Sequence, residues 1–151
     1  MWVVDHGPAA PGRIFLENVT ITGNSTYERP DLTMRGVAAG LTIGGMTTGE
    51  VVNCTITGNA AQFGSGIWNA SPLTIRNTII ANDAENVWTP LNCSGSMYAM
   101  PSGMGSAVVQ WPTGMSPTDD MDCITGVVRM DPRMGALGDN GGPVPTVLPG
   151  A

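Results

Sequence analysis

The chain has 151 residues, of which 42% are hydrophobic and 12% are charged, so it is long enough for one cooperative domain with a continuous core. Its 21 glycines, its 12 prolines and the absence of lysine favour strands and turns over surface helices, which indicates an all-β fold. The formal net charge is -6 and the six arginines are scattered, so no basic stripe is present to bind nucleic acid. No stretch approaches the ~18 consecutive apolar residues of a membrane span.

The first twelve residues, "MWVVDHGPAAPG", have neither a basic start nor a long apolar run. This predicts a soluble chain whose export signal was removed or lay upstream. The segment contains the only histidine, His6, next to Asp5. Such a pair can serve in acid/base chemistry or bind a metal, but a single histidine without a second ligand nearby is more often a surface residue.

Three later segments repeat one pattern. "NVTITGN" at 18–24 returns as "NCTITGN" at 53–59, and a related segment begins at Asn77. Aligning the asparagines places apolar residues in common columns at every second position, which is the period of a strand with one inward face. The inward columns are Ile14, Gly49, Leu73; Leu16, Val51, Ile75; Val19, Cys54, Thr78; and Ile21, Ile56, Ile80. The outward columns are Phe15, Glu50, Thr74 and Glu17, Val52, Arg76.

The aligned asparagines recur after 35 and then 24 residues, which suits one coil of a solenoid. In such a stack equivalent side chains lie ~4.8 Å apart, so an asparagine at each bend can hydrogen-bond its equivalents above and below. Gly40 and Gly66 precede repeated blocks and predict corners where neighbouring backbones approach closely. We therefore predict a short parallel β-helix of about three coils over residues 1–90, followed by an irregular cap over residues 91–151.

Three cysteines allow one disulfide and one free thiol. Cys54 occupies the column of Val19, so we expect it to face the core as a small apolar residue. Cys93 and Cys123 flank a segment rich in Gly, Pro and Met, where a cross-link would remove much chain entropy from the unfolded state. We expect this pair to form the disulfide, which would imply an oxidising, extracytoplasmic location.

The blocks "NCTITGNAAQFGSGIWNASPLTIRNTIIAND", "NCSG" and "DPRMGALGDNGGPVPTVLPGA" resemble the C-terminal part of bacterial secreted right-handed parallel β-helix proteins. These are related to the pectate-lyase-like and polymorphic outer-membrane-protein repeats and to choice-of-anchor proteins. The resemblance covers most of the chain, and "LGDNGGPVPT" is its most specific part. It implies a right-handed helix closed by its C-terminal segment, the same cysteine pair, and an extracellular or cell-surface location. Family members usually have more coils upstream, so the first coil would present an unpaired edge through which a homo-oligomer could form.

Two outward glutamates are candidates for catalysis. Glu17 and Glu50 should project from neighbouring coils, two positions apart, and diagonal neighbours of this kind lie ~7 to 8 Å apart. This separation falls within the ~6.5 to 9.5 Å that two carboxyl groups span in an inverting glycosidase. Surface glutamates are common on a solvated sheet, however, and Arg76 nearby can simply balance their charge.

Aromatic side chains offer a second kind of chemistry. Phe15 should share the outward face with both glutamates, while Trp68 follows the Gly66 corner and Trp88 ends the last predicted coil. Exposed rings on a flat face can stack on sugar rings. The alternative is that Trp68 and Trp88 are corner plugs that cover the ends of the core.

We expect no cofactor, with calcium as the one alternative. The only dense acidic cluster is Asp119, Asp120 and Asp122, which does not match an EF-hand loop and is otherwise a solvated turn.

The leading functional hypothesis is a non-catalytic extracellular module that binds polysaccharides or surface glycans. Its candidate contacts are Phe15, Glu17, Glu50, Trp68, Arg76 and Trp88. The second hypothesis is a polysaccharide-cleaving enzyme, a glycoside hydrolase before a lyase, that uses Glu17 and Glu50 as acid and base. The third is a structural segment that closes a longer β-helix.

Overall fold

The computed structural model describes residues 1–4, 12–26, 40–45, 47–61, 64–82, 92–95, 104–112 and 121–150. Within these ranges the fold is all-β and contains no helix. The strands of the described ranges are β1 (Trp2–Val4), β2 (Arg13–Glu17), β3 (Thr20–Thr22), β4 (Leu41–Gly44), β5 (Thr48–Val52), β6 (Thr55–Thr57), β7 (Ile67–Asn69), β8 (Leu73–Ala81), β9 (Cys93–Gly95), β10 (Met104–Trp111), β11 (Met134–Gly138) and β12 (Thr146–Pro149).

Two parallel sheets and one antiparallel hairpin account for these strands. The smaller sheet has the order β1-β4-β7-β9, and the larger sheet has the order β2-β5-β8-β6-β3, with β10 paired to β8. Strands β11 and β12 form the antiparallel hairpin. Along the chain, strands of the smaller sheet alternate with strands of the larger sheet. Neighbouring parallel strands need crossover connections, and here each connection passes through the other sheet.

The register of the larger sheet confirms the predicted columns. Phe15 lies opposite Glu50, Ile21 lies opposite Ile56, and β8 continues both columns on the far side of β5 and β6. A slip of one residue would move every inward side chain to the solvent, so the buried aliphatic columns fix this register.

Side chains from both sheets fill one core. Gly49 takes the inward position between Ile14 and Leu73, and a β-carbon there would lie 2.8 Å from Leu73 Cδ1 and 3.0 Å from Cδ1 of Ile43, which belongs to the smaller sheet. The absence of a side chain at Gly49 therefore leaves room for its neighbours. The buried cluster comprises Ile14, Leu41, Ile43, Val51, Cys54, Ile56, Ile67, Leu73, Ile75, Ile80, Cys93, Val108, Cys123 and Ile124.

The predicted corner asparagines adopt left-handed backbone conformations. The φ angles are 57° at Asn18, 53° at Asn53 and 49° at Asn77, and asparagine tolerates this region better than most residues. The side chain of Asn77 donates from Nδ2 to Oδ1 of Asn53 at 2.7 Å, as expected for stacked asparagines. The same corner recurs in β10 with Ala107, whose φ is 54°.

A second asparagine ladder was not predicted, and three of its four members, Asn59, Asn82 and Asn92, are buried. Asn24 donates from Nδ2 to Asn59 Oδ1 at 2.9 Å, Asn59 to Asn82 at 3.0 Å, and Asn82 to Asn92 at 3.1 Å. The backbone N–H of each donor residue bonds to the same oxygen, at 3.1, 3.0 and 2.9 Å. At the end of the ladder Asn92 Nδ2 donates to the carbonyl oxygen of Pro112 at 3.0 Å.

The predicted glycine corners are confirmed as places of close backbone approach. Gly40 N donates to Ser65 O at 2.9 Å, and Gly66 N donates to Asn92 O at 3.0 Å. A β-carbon on Gly66 would lie 2.8 Å from Asn92 O and 2.6 Å from Asn82 Nδ2. Real β-carbons do not come this close to a carbonyl oxygen, so the corner requires glycine.

The prediction that residues 91–151 are irregular is wrong in part. Strand β9 pairs with β7 and strand β10 pairs with β8, so both parallel sheets continue beyond residue 90. Strand β10 buries Val108 and Gln110. The Gln110 side chain donates to Met121 O at 2.7 Å and accepts from Cys123 N at 2.9 Å, which satisfies a polar group inside the core.

The predicted disulfide is confirmed. Cys93 in β9 is bonded to Cys123, with a Cα–Cα distance of 5.3 Å and a sequence separation of 30 residues. It ties the smaller sheet to the chain that follows β10. Cys54 is a free, buried thiol in the core, also as predicted.

Candidate functional site

The outer face of the larger sheet carries most of the predicted site residues. Here the outer face means the outward side chains of β2, β5, β8 and β10. Because paired residues lie opposite each other on strands ~4.8 Å apart, the side chains form two straight rows. One row is Phe15, Glu50, Thr74 and Met104, and the other is Glu17, Val52, Arg76 and Ser106.

Phe15 is the exposed aromatic group of this face. Its side chain is 61% exposed, and its neighbour across the strand pair is Glu50. A large apolar ring held in solvent by a regular strand offers a flat contact surface at little further entropy cost. The sequence predicted both the outward position and the neighbour.

An ion pair lies next to this ring. Arg76 Nη2 is 3.2 Å from Glu50 Oε2, and the two side chains are 53% and 39% exposed. An exposed pair of this kind contributes at most about 1 kcal/mol to stability. Its more important effect is to hold a guanidinium and a carboxylate over the face, where both can hydrogen-bond to a ligand.

The register also brings the two candidate acid/base residues to neighbouring strands. Glu17 lies opposite Val52 and Glu50 lies opposite Phe15, so the two carboxylates are diagonal neighbours two positions apart, as predicted. Glu17 is exposed, and Glu50 is engaged by Arg76. A catalytic role for this pair stays a prediction.

Trp68 does not share the outer face. It lies in β7 of the smaller sheet, opposite Thr42 of β4 and Ser94 of β9, and is half-buried. The sequence could not separate the two sheets, because alternation along a strand does not reveal which sheet that strand joins. Trp88 lies outside the described residues.

Metal-binding candidates are sparse in the part of the chain that the structure describes. Asp5, His6, Asp119 and Asp120 lie outside it. Asp122 forms an ion pair with Arg129. Among the described residues no group of three or more His, Cys, Asp or Glu side chains is arranged to hold a metal ion.

Cys54 has the environment of a structural thiol. Burial raises its pKa, and hydrogen bonding with the backbone of Val19, Val52 and Asn18 opposes this only in part. The thiol therefore remains protonated near neutral pH, which is not the state of a nucleophile.

A groove that the sequence did not reveal lies between the C-terminal hairpin and the ends of β3, β6 and β8. Its volume is about 620 Å³. Trp111 and Pro112 form part of one wall, and Asp131 and Arg133 contribute polar groups. Asp131 Oδ1 accepts from Arg133 N at 2.7 Å, which fixes the turn leading into β11. The groove depends on where the hairpin docks, and no local sequence pattern encodes that.

Comparisons with protein-family models, with curated proteins and with solved structures found no match to this chain. Within the described residues, no helix has the length and apolar character needed to cross a membrane.

Proposed function

We propose that this chain is an extracellular, right-handed parallel β-helix module that binds polysaccharides or surface glycans through its outer face. The β-helix interpretation is supported by the alternation of the chain between two parallel sheets and by the two asparagine columns at their corners. The disulfide and the lack of a membrane-spanning helix in the described residues are compatible with a secreted or cell-surface protein.

The observation that carries the binding proposal is the arrangement around Phe15. Its 61% exposed ring lies across the strand pair from Glu50, which is ion-paired with Arg76. Sugars present apolar C–H faces that stack on aromatic rings and hydroxyl groups that bond to charged side chains. The flat sheet places these two kinds of contact side by side over a length suited to an extended chain.

A glycan array followed by titration calorimetry tests this proposal. The purified chain should give saturable binding to at least one glycan class. Phe15→Ala should weaken that binding about two- to tenfold, because stacking contributes ~0.5 to 1.5 kcal/mol. Arg76→Gln should also weaken it. Leu148→Ala, which removes a 53% exposed side chain from β12, is the matched control and should leave it unchanged.

Failure of the folded chain to bind any glycan would overturn the proposal. Equal binding by the native chain, Phe15→Ala and Arg76→Gln would show that glycans do not bind at the outer face. The groove lined in part by Trp111 would then be the next site to test.

The second candidate is cleavage of a polysaccharide by Glu17 and Glu50. The diagonal placement of the two carboxylates on neighbouring strands favours it. A reducing-sugar assay should then detect product from the native chain and none from Glu17→Gln or Glu50→Gln. Binding without product in all three proteins would reject this candidate and leave the binding proposal intact. A structural role in closing a longer β-helix predicts neither binding nor product.

A further inference from the structure

Strand β2 is an open edge in the part of the chain that the structure describes. It pairs with β5 on one side, and no described strand pairs with its other side. Thr48 N donates to Gly12 O at 2.8 Å and Asn18 N donates to Val52 O at 3.1 Å, so the even-numbered residues direct their backbone groups to β5. Because these directions alternate, the N–H and C=O groups of Arg13, Phe15 and Glu17 point away from β5. Such a row of groups is a template for another strand.

The sequence of this strand complements itself when reversed. Residues 13–17 are Arg-Ile-Phe-Leu-Glu. If a second copy pairs antiparallel with Phe15 at the centre, Arg13 lies opposite Glu17 of the second copy, Ile14 opposite Leu16, and Phe15 opposite Phe15. Opposed residues in an antiparallel pair share a face, so both ion pairs form on the outer face and both aliphatic pairs on the core face. A parallel pairing in register would place like charges together.

The backbone groups fit the same arrangement. The N–H and C=O groups of Arg13, Phe15 and Glu17 point to the open side. In the antiparallel pair these three residues lie opposite Glu17, Phe15 and Arg13 of the second copy, in that order. Each opposed pair can therefore exchange two hydrogen bonds.

The core is also less covered at this edge. Leu16 and Ile21 are only partly buried, whereas Val51 and Ile56, their neighbours one strand further in, are fully buried. A second copy at β2 would cover Leu16 with an aliphatic side chain and continue the core across the junction.

We propose that two copies of this chain pair antiparallel through β2 about a two-fold axis at Phe15. The junction is self-complementary, as a two-fold interface must be. It joins the two outer faces into one surface, with the two phenylalanine rings side by side at its centre. This proposal concerns assembly and does not depend on glycan binding.

Sedimentation equilibrium of the full chain without ligand tests the pairing. The native chain should form a species of twice its mass. Arg13→Glu alone and Glu17→Arg alone should each raise the dissociation constant about tenfold or more, because both cross-strand ion pairs become repulsive. An equimolar mixture of these two variants should dimerise, since each charge then meets its opposite. The double variant with both substitutions should dimerise by itself for the same reason.

Circular dichroism of each variant confirms that it is folded. Phe15→Pro removes one N–H from the open side and none from the β5 side, so it should dissociate the dimer without breaking the sheet. A native chain that is monomeric at every accessible concentration would overturn the proposal. So would a dimer that survives both single charge reversals, or a mixture of the two variants that stays monomeric. Arg76→Gln, which lies on β8 and has no place in the β2 junction, separates loss of glycan binding from loss of pairing.

Discussion

Asn77 donates a hydrogen bond from Nδ2 to Oδ1 of Asn53 at 2.7 Å, across the corner where both residues hold a positive φ. The two residues thus satisfy two demands at once, because asparagine tolerates the left-handed backbone and its amide links neighbouring strands. The buried ladder through Asn59 performs only the second task, since Asn59 is not among the residues with positive φ.

This difference leads to a contrast between two substitutions at Asn53. Asn53→Gly should cost less than 1 kcal/mol, because glycine accepts the positive φ and the lost amide is exposed. Asn53→Ala should cost about 1 to 2 kcal/mol more than Asn53→Gly, because the β-carbon is strained there. Urea denaturation of the two variants measures both values. Equal midpoints would show that the corner conformation is not what selects asparagine.

In the buried ladder we expect a larger loss. Asn59 is 2% exposed; its amide bonds to Ile21 O, Thr57 O and Asn82 Oδ1, and its own oxygen accepts from Asn24. Asn59→Ala removes all of these and leaves buried groups without partners, at ~1 to 3 kcal/mol for each. We expect a destabilisation of roughly 3 kcal/mol or more by denaturant unfolding. A loss no larger than that of Asn53→Ala would contradict the role given to this ladder.

Two glycines, Gly66 at a corner and Gly138 in β11, provide a matched pair of alanine substitutions. Gly66→Ala should destabilise the fold by about 1 to 3 kcal/mol, because its β-carbon would collide with the backbone oxygen of Asn92. Gly138→Ala is the control, since nothing lies within 4 Å of a β-carbon at that position. Thermal unfolding monitored by circular dichroism should shift for the first variant and stay within error for the second.

The disulfide should stabilise the fold through the unfolded state. The 30-residue separation of Cys93 and Cys123 corresponds to roughly 3 to 4 kcal/mol of loop entropy. Denaturant unfolding of the Cys93→Ser/Cys123→Ser variant, which retains Cys54, should show a loss of this order. A loss below about 1 kcal/mol would indicate that the unfolded chain is already constrained near this loop.

Stability should also fall at alkaline pH because of Cys54. Burial raises the pKa of this thiol above the ordinary value of 9.0, so the folded state holds the proton more tightly than the unfolded chain does. The resulting stabilisation is fully present below the unfolded pKa and is lost as pH rises through the folded pKa. Unfolding midpoints of the native chain and Cys54→Ala should therefore converge above pH ~9. Parallel curves across this range would show that Cys54 does not titrate on unfolding.

The sequence predicted the register where a repeated motif and alternating burial coincide. The columns through Phe15 and Ile21 follow from three aligned asparagines and the period of two. Strand β10 was missed because Ala107 replaces the asparagine at its corner, so the motif disappears although the backbone conformation remains. The second ladder was missed because the alignment used only the asparagines that begin each repeat, and Asn82 lacks the preceding glycine that Asn24 and Asn59 share. The place of Trp111 in the groove could not be predicted, because the groove forms between segments that are distant in sequence and local patterns do not show how such segments pack.

The buried ladder has uneven steps along the chain. Successive asparagines are separated by 35, 23 and 10 residues, yet the hydrogen bonds between them differ by only a few tenths of an ångström. The asparagines therefore keep the same spacing to one another in space, although the lengths of chain between them differ. The strands between Asn24 and Asn82 carry most of the buried core, so insertions and deletions should be tolerated only in the loops that connect them.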